Sequence, residues 1–218
     1  MHTPQHFRET RLDELHRLIG EYPLGVLVHN GPAGLDANHL PFELDPEDGE
    51  HGSLRAHVAR ANPVWREAKD GDEVLVIFRG PAAYISPNWY PSKPETHRLV
   101  PTWNYQAVHV RGTIGIRDED RFVRGVVSRL TRVNEARTGA ESPWKMGDAP
   151  RDYIDRMLEA VVGIEVEIAS IVGSWKLGQN REERDRIGAA EELGARGDDA
   201  LSAAMLNVGP SGKVPEDR

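Results

Sequence analysis

The sequence predicts a mainly antiparallel β-sheet or barrel with helices at its ends, and three observations predict it. Short apolar runs are joined by hairpin-length turns rich in Gly, Pro, Asn and Asp. Strands and helices do not alternate regularly, which argues against a doubly wound parallel sheet. The 218 residues suit one domain, or one domain with an appendage, better than two complete domains.

Leu12, Leu15, Leu18 and Ile19 recur at helical spacing behind Thr10, a capping residue, and Gly20 and Pro23 end that helix. Leu24 to His29 is an apolar strand, closed by the turn Asn30-Gly31-Pro32-Ala33-Gly34, and Leu35 to Leu44 returns beside it. Ser53 to Val58 is a third strand. Asn62-Pro63 then reads as the cap and first residue of a short helix ending near Gly71. Glu73 to Phe78 is a central strand and Ala82 to Ile85 a further β segment, followed by a loop from Ser86 to Val100 that contains Pro87, Pro91 and Pro94. Thr102 to Ile116 is the longest strand. Phe122, Val123, Val126, Val127, Leu130 and Val133 share one helical face, and Tyr153, Ile154, Met157, Leu158 and Val161 suggest a second helix. Ile164, Val166 and Ile168 alternate with Glu165, Glu167 and Ala169 in a strand that runs toward Leu177. Arg181 to about Leu193 is helical and charged, and Gly194 to Arg218 reads as a flexible tail.

The chain has no cysteine, which excludes disulfides, thiolate metal sites and a cysteine nucleophile. A net charge of −8 is not the electrostatic footprint of a nucleic-acid binder. No stretch approaches the roughly 20 apolar residues of a membrane-spanning helix, so the chain reads as cytoplasmic, with no membrane partner. No P-loop, dinucleotide-binding turn, zinc-hydrolase motif or nucleophile elbow is present, and the nine histidines form no metal-ligand cluster in sequence.

Three groups of residues remain as candidates. In the first, Arg55 and His57 share one face of a strand that runs into Arg60 and Asn62 at a helix start, a concentration of cations and backbone donors suited to phosphate. The alternative is a polar strand face with a routine cap. The second group is Ser86-Pro87-Asn88-Trp89-Tyr90 with Val100-Pro101-Thr102-Trp103-Asn104-Tyr105, whose flat apolar walls and amide edges suit a planar heteroaromatic ligand or, equally, loop packing. The third is Trp175-Lys176-Leu177-Gly178-Gln179-Asn180-Arg181, a strand end with two cations and two amides, which by itself is a solvated junction. Arg121, Arg124, Arg129 and Arg132 offer a basic stripe on one helix, with a solvated arginine face as the default reading. The connection between that helix and the next is about a dozen residues, too long for a helix-turn-helix.

Taken in order, these segments resemble the PaiB family, the FMN-binding negative transcriptional regulators of the FMN-binding split-barrel superfamily. The resemblance rests on Asn38-His39-Leu40-Pro41, on Ala56 to Pro63 with Trp65, and on Phe78-Arg79-Gly80-Pro81 with Ala83 to Pro87. It continues through Trp89-Tyr90, Val100 to Tyr105 with Ala107 to Val110, Ser142-Pro143-Trp144, Val162-Gly163-Ile164, and Lys176-Leu177 with Gln179-Asn180. One departure is Gly178, where the family more usually has Ser. The resemblance implies a six-stranded antiparallel split barrel over residues 1–193, with 194–218 as the tail, forming a homodimer with FMN at the subunit interface. It places the phosphate near Arg55, His57, Arg60 and Asn62, and the flavin ring near Asn38, His39, Ser86, Trp103, Asn104 and Tyr105. Lys176, Gln179 and Arg181 would line the same cleft. The functions implied are a ligand-responsive regulator, with direct DNA binding unsupported by charge or motif, or an FMN-dependent oxidoreductase of the pyridoxamine-phosphate-oxidase or flavin-reductase kind. A third is a haem-binding barrel.

Overall fold

The computed structural model describes residues 1–208. Strand β1 (Arg8–Glu9) precedes helix α1 (Leu12–Glu21), and the Glu9 carboxylate accepts the N–H groups of Thr10 and Arg11 at 2.9 and 2.8 Å, so Glu9 shapes the entry to the helix. The predicted hairpin is present as β2 (Leu24–Gly31) and β3 (Gly34–Pro41), paired from Leu24↔Pro41 to Gly31↔Gly34. The expected second strand breaks at Phe42, whose buried ring packs 5.6 Å from Phe78, and β4 (Glu43–Asp45) starts afresh against β5 (Ser53–Ala59). Helix α2 (Val64–Glu67) is a single turn. It stops short of Gly71 because Ala68 is extended and Gly71 donates its N–H to the Ile114 carbonyl.

Strand β6 (Glu73–Ile85) joins two segments that the sequence separates, running straight through Gly80-Pro81. The long loop beyond it contains a 3₁₀ turn at Pro87–Trp89 and α3 (Lys93–Thr96). Strand β7 (Thr102–Arg117), α4 (Asp120–Arg137), α5 (Arg151–Glu159), β8 (Val161–Lys176) and α6 (Glu183–Ala195) follow. The segment read as a flexible tail contains α7 (Asp199–Leu206), with Leu201 and Met205 buried and the Ser202 hydroxyl donating to the Ala190 carbonyl of α6. Alanines and a four-residue Leu–Met spacing give it a narrow apolar seam, enough to dock on another helix. Residues 209–218 of the expected tail lie outside the described residues.

The sheet has eight strands in the order β3-β2-β6-β7-β8-β5-β4, with β1 also on β8. The expectation of six is therefore approximate: six strands are long, and β1 and β4 are two- and three-residue additions. Two compact units share the chain, the first made of Met1–Arg11, Arg79–Val108 and the chain from Val172, the second of Leu12–Phe78 and His109–Ile171. In the second, β5 and β8 pair in a register that sets Leu54, Ala56 and Val58 opposite Val166, Ile164 and Val162, all buried on one face. The other face carries Arg55 opposite Glu165 and His57 opposite Gly163. Gly163 has no alternative, since a Cβ there would lie 2.5 Å from the Phe122 ring. In the first unit, Ala189, Ala190, Leu193, Leu201 and Met205 form the buried seam of α6 and α7.

Candidate functional site

In the second unit, α4 lies against β5, so the strand face that holds Arg55 and His57 is covered. Arg55 is saturated there: Nε donates to Glu165 Oε1 at 3.1 Å, Nη1 to Asp45 Oδ2 and Nη2 to Asp48 Oδ2, each at 2.8 Å. Arg117 takes the other Glu165 oxygen at 2.9 Å. Two guanidinium groups facing three carboxylates leave no net positive field to attract a phosphate. His57 is half-buried with an unpaired Nδ1, and burial pushes its pKa below the ordinary 6.5, which favours the neutral ring. The sequence pattern placed these two residues on one face correctly. It did not reveal that the carboxylates around Arg55 come from β4, the turn after it and β8.

Arg60 is also engaged. Its fork meets both oxygens of Asp118, at 2.9 and 2.5 Å, while Nε and Nη2 donate to the Glu159 and Val161 carbonyls at 2.7 and 3.1 Å. The corner beyond it is more open. Asn62 accepts the Val64 N–H at 2.9 Å, as a cap should, and its amide donates to Asn38 Oδ1 on β3 at 2.6 Å. Asn38 donates in turn to Asp36 at 3.2 Å, and His39, next along β3, is exposed. Trp65 Nε1 donates to the Arg60 carbonyl at 3.0 Å, and the Arg66 guanidinium lies 4.5 Å from the Trp65 ring centre. Arg66 is exposed and has no carboxylate partner among the described residues, which makes it the available cation of this corner. Sequence reasoning missed it. The signal was a cation directly after Trp65, within one turn of the Asn62 cap.

In the first unit, Trp103 is 55% exposed and meets Tyr84 edge to face with ring centres 6.2 Å apart. Tyr105 is half-buried, and Ser86 Oγ accepts the Asn88 N–H at 3.2 Å. Lys176 is partly buried and donates to the Thr102 hydroxyl at 2.6 Å, with no carboxylate beside it among the described residues. Arg181 stands 5.4 Å from the Tyr90 ring centre. Asn104, expected near the ring, and Gln179, expected to line the cleft, both have structural partners. Asn104 is only 3% exposed and its amide donates to the Met205 sulfur at 3.4 Å. Gln179 clasps the end of β8, accepting from the Leu177 N–H at 2.7 Å and donating to the Trp175 carbonyl at 2.5 Å. Gly178 adopts φ 87°, a left-handed conformation that explains a glycine where the resemblance leads one to expect Ser.

Among the described residues no group of three or more His, Asp or Glu is arranged to hold a metal, and no helix is long and apolar enough to cross a membrane. The long antiparallel strands with their flanking helices define a split-barrel protein. The chain belongs to the family described as "Putative FMN-binding domain", whose model matches residues 1–170. It is 31% identical over 193 residues to the protease synthase and sporulation protein PAI 2 of Bacillus subtilis strain 168, covering 88% of this chain and 89% of that protein. Among solved structures it is similar to the FAD and haem binding protein of Mycobacterium smegmatis, with a TM-score of 0.56, 16% identity, and 79% and 74% of the two chains covered. The flavocytochrome Anf3 of Azotobacter vinelandii gives a TM-score of 0.54 at 11% identity over 81% of this chain and 73% of that one. At these identities the structural likeness is one of fold.

Proposed function

We propose that this protein binds FMN and that the corner Arg60–Arg66 of its second unit takes the phosphate. The observation that carries the reading is the exposed Arg66 guanidinium, unpaired and stacked beside Trp65, next to an Asn62 that is tied to Asn38 on β3. A dianionic phosphate needs a cation whose donors are not already committed, and Arg66 offers one where Arg55 does not. The ring is proposed to lie near Asn38 and His39 of the same unit; Trp103, Tyr105, Ser86, Lys176 and Arg181 of the first unit, an exposed aromatic surface with two cations that have no carboxylate partner among the described residues, are a separate proposal for an electron-poor ring with polar edges. Bound FMN would supply electron transfer, while these residues bind and orient it.

We place the protein in the cytoplasm and read it as a regulator that acts through its ligand and as a homodimer, the dimer supported by the exposed Leu24 and Leu35 on the β2–β3 hairpin. Direct operator recognition draws little support from α4. Arg124 is paired with Asp120 and Asp155 and Arg129 with Glu43, so much of the basic stripe is neutralised within the fold.

The test is the absorption spectrum of the purified protein before and after FMN is added, with titrations of Arg66→Ala and Arg55→Ala. A bound-flavin spectrum with at least tenfold weaker FMN binding in Arg66→Ala is expected, since a charge-assisted contact contributes roughly 1.5–3 kcal/mol. Absence of flavin binding by the wild type would refute the reading, and a Soret band in its place would turn it toward haem.

A further inference from the structure

We propose a second small-molecule site, for a planar organic anion such as an aromatic carboxylate, in the cleft between α4 and the turn that contains Trp144. The Ser142-Pro143-Trp144 segment has no role in the FMN reading. It folds back along α4 to form a half-open cleft of about 470 Å³ lined by Ser128, Arg132, Glu135, Trp144, Lys145 and Met146. That volume lies in the range of ligand pockets, roughly 300–1,000 Å³.

The turn is pinned by its backbone: Trp144 N–H donates to Glu135 Oε2 at 3.0 Å and Lys145 N–H to Asp148 Oδ2 at 2.9 Å. The Trp144 side chain is nevertheless 42% exposed, presenting a flat apolar wall that nothing in the fold covers completely. Arg132 and Lys145 have no carboxylate partner among the described residues, whereas Arg124 and Arg129 on the same helix are both paired. The lining of the cleft therefore sets Arg132 and Lys145 against Glu135, half of whose carboxylate is occupied by the Trp144 N–H, while Asp148, outside the lining, is turned to the Lys145 N–H. Ser128 and Thr131 add hydroxyl groups that can donate.

This chemistry selects its occupant. A neutral apolar ligand would leave the Arg132 fork without an acceptor, whereas a carboxylate supplies one. An aromatic ring stacked on Trp144, with its carboxylate gripped by the Arg132 fork, fits both the wall and the cation. The site shares no residue with the proposed FMN contacts, so it stands or falls independently of them.

Calorimetric titration of 2-naphthoate into the wild-type protein, with FMN in excess so that any flavin site is filled, tests the proposal. Saturable one-to-one binding is expected, weakened at least tenfold by Arg132→Gln and by Trp144→Ala, and at least tenfold weaker for 2-naphthamide, which keeps the shape and loses the charge. No saturable binding up to about 1 mM naphthoate would overturn the proposal. So would naphthamide binding as tightly as naphthoate, or unchanged affinity in Arg132→Gln. If Trp144→Ala fails to fold, Arg132→Gln and Lys145→Gln, both at exposed positions, carry the test.

Discussion

Asn62 Nδ2 donates to Asn38 Oδ1 at 2.6 Å while its own Oδ1 holds the Val64 N–H, so one amide joins strand β3 to the start of α2. Asn62→Ala removes a cap and a strand-to-loop bond together. The expected cost is about 1–2 kcal/mol in urea unfolding, with weaker FMN binding in a titration of the folded variant. Asn62→Asp keeps the cap acceptor but not the donor to Asn38, and is expected to recover only part of both losses.

Arg55→Met is expected to destabilise the fold by about 1–2 kcal/mol while leaving FMN affinity unchanged, because Asp45 and Asp48, both partly exposed, lose their cation and Glu165 keeps only Arg117. Denaturant unfolding and flavin titration on the same preparation separate the two effects. A large drop in affinity with little change in stability would return Arg55 to the phosphate site.

Hydrogen bonding to the Arg60 guanidinium holds the Asp118 carboxyl below the ordinary 3.8, and the Ser53 hydroxyl, helped by Arg55, does the same for Asp48. A carboxylate with a lowered folded pKa stabilises the fold above its unfolded pKa, and the contribution disappears as pH falls through the folded value. Stability is therefore expected to decline below about pH 3.8 from these groups, with a shallower acid limb in Arg60→Gln, where the Asp118 pair is absent.

His57 gives a second pH window. Burial lowers its folded pKa beneath the unfolded 6.5, so the neutral ring is compatible with the fold and protonation is not. Stability is expected to fall as pH drops below 6.5, and His57→Gln to flatten that part of the profile in thermal melts at a series of pH values.

Asp185 accepts both the Ser92 hydroxyl, at 2.6 Å, and the Ser92 N–H, at 3.0 Å, with all of these groups buried. Asp185→Ala leaves a buried hydroxyl and amide without a partner and is expected to cost about 2–4 kcal/mol. Hydrogen exchange should show the lost protection concentrated in the Pro87–Thr96 loop and α6.

The long strands and α4 were legible because their apolar period is local: Leu54, Ala56 and Val58 alternate inward within one segment, and Val123, Val126 and Leu130 repeat along one helix. Helix α7 was not legible, since its sequence is rich in alanine and small residues and its burial depends on α6 being there to receive it. The candidate site was legible as residue types but not as availability. Arg60 and Arg66 look alike in sequence, yet Asp118 lies far along the chain and claims the first, while among the described residues no carboxylate claims the second. The conformational requirement at Gly178 was equally hidden, because a positive φ at a strand end depends on how Gln179 folds back onto it.

The family match ends at residue 170, whereas β8 continues to Lys176 and pairs through Gly173 and Ser174 with Glu9 and Arg8 near the opposite end of the sequence. A shortened chain cut at that boundary would end inside a strand, strip β1 of its neighbour and expose the loop that Asp185 secures.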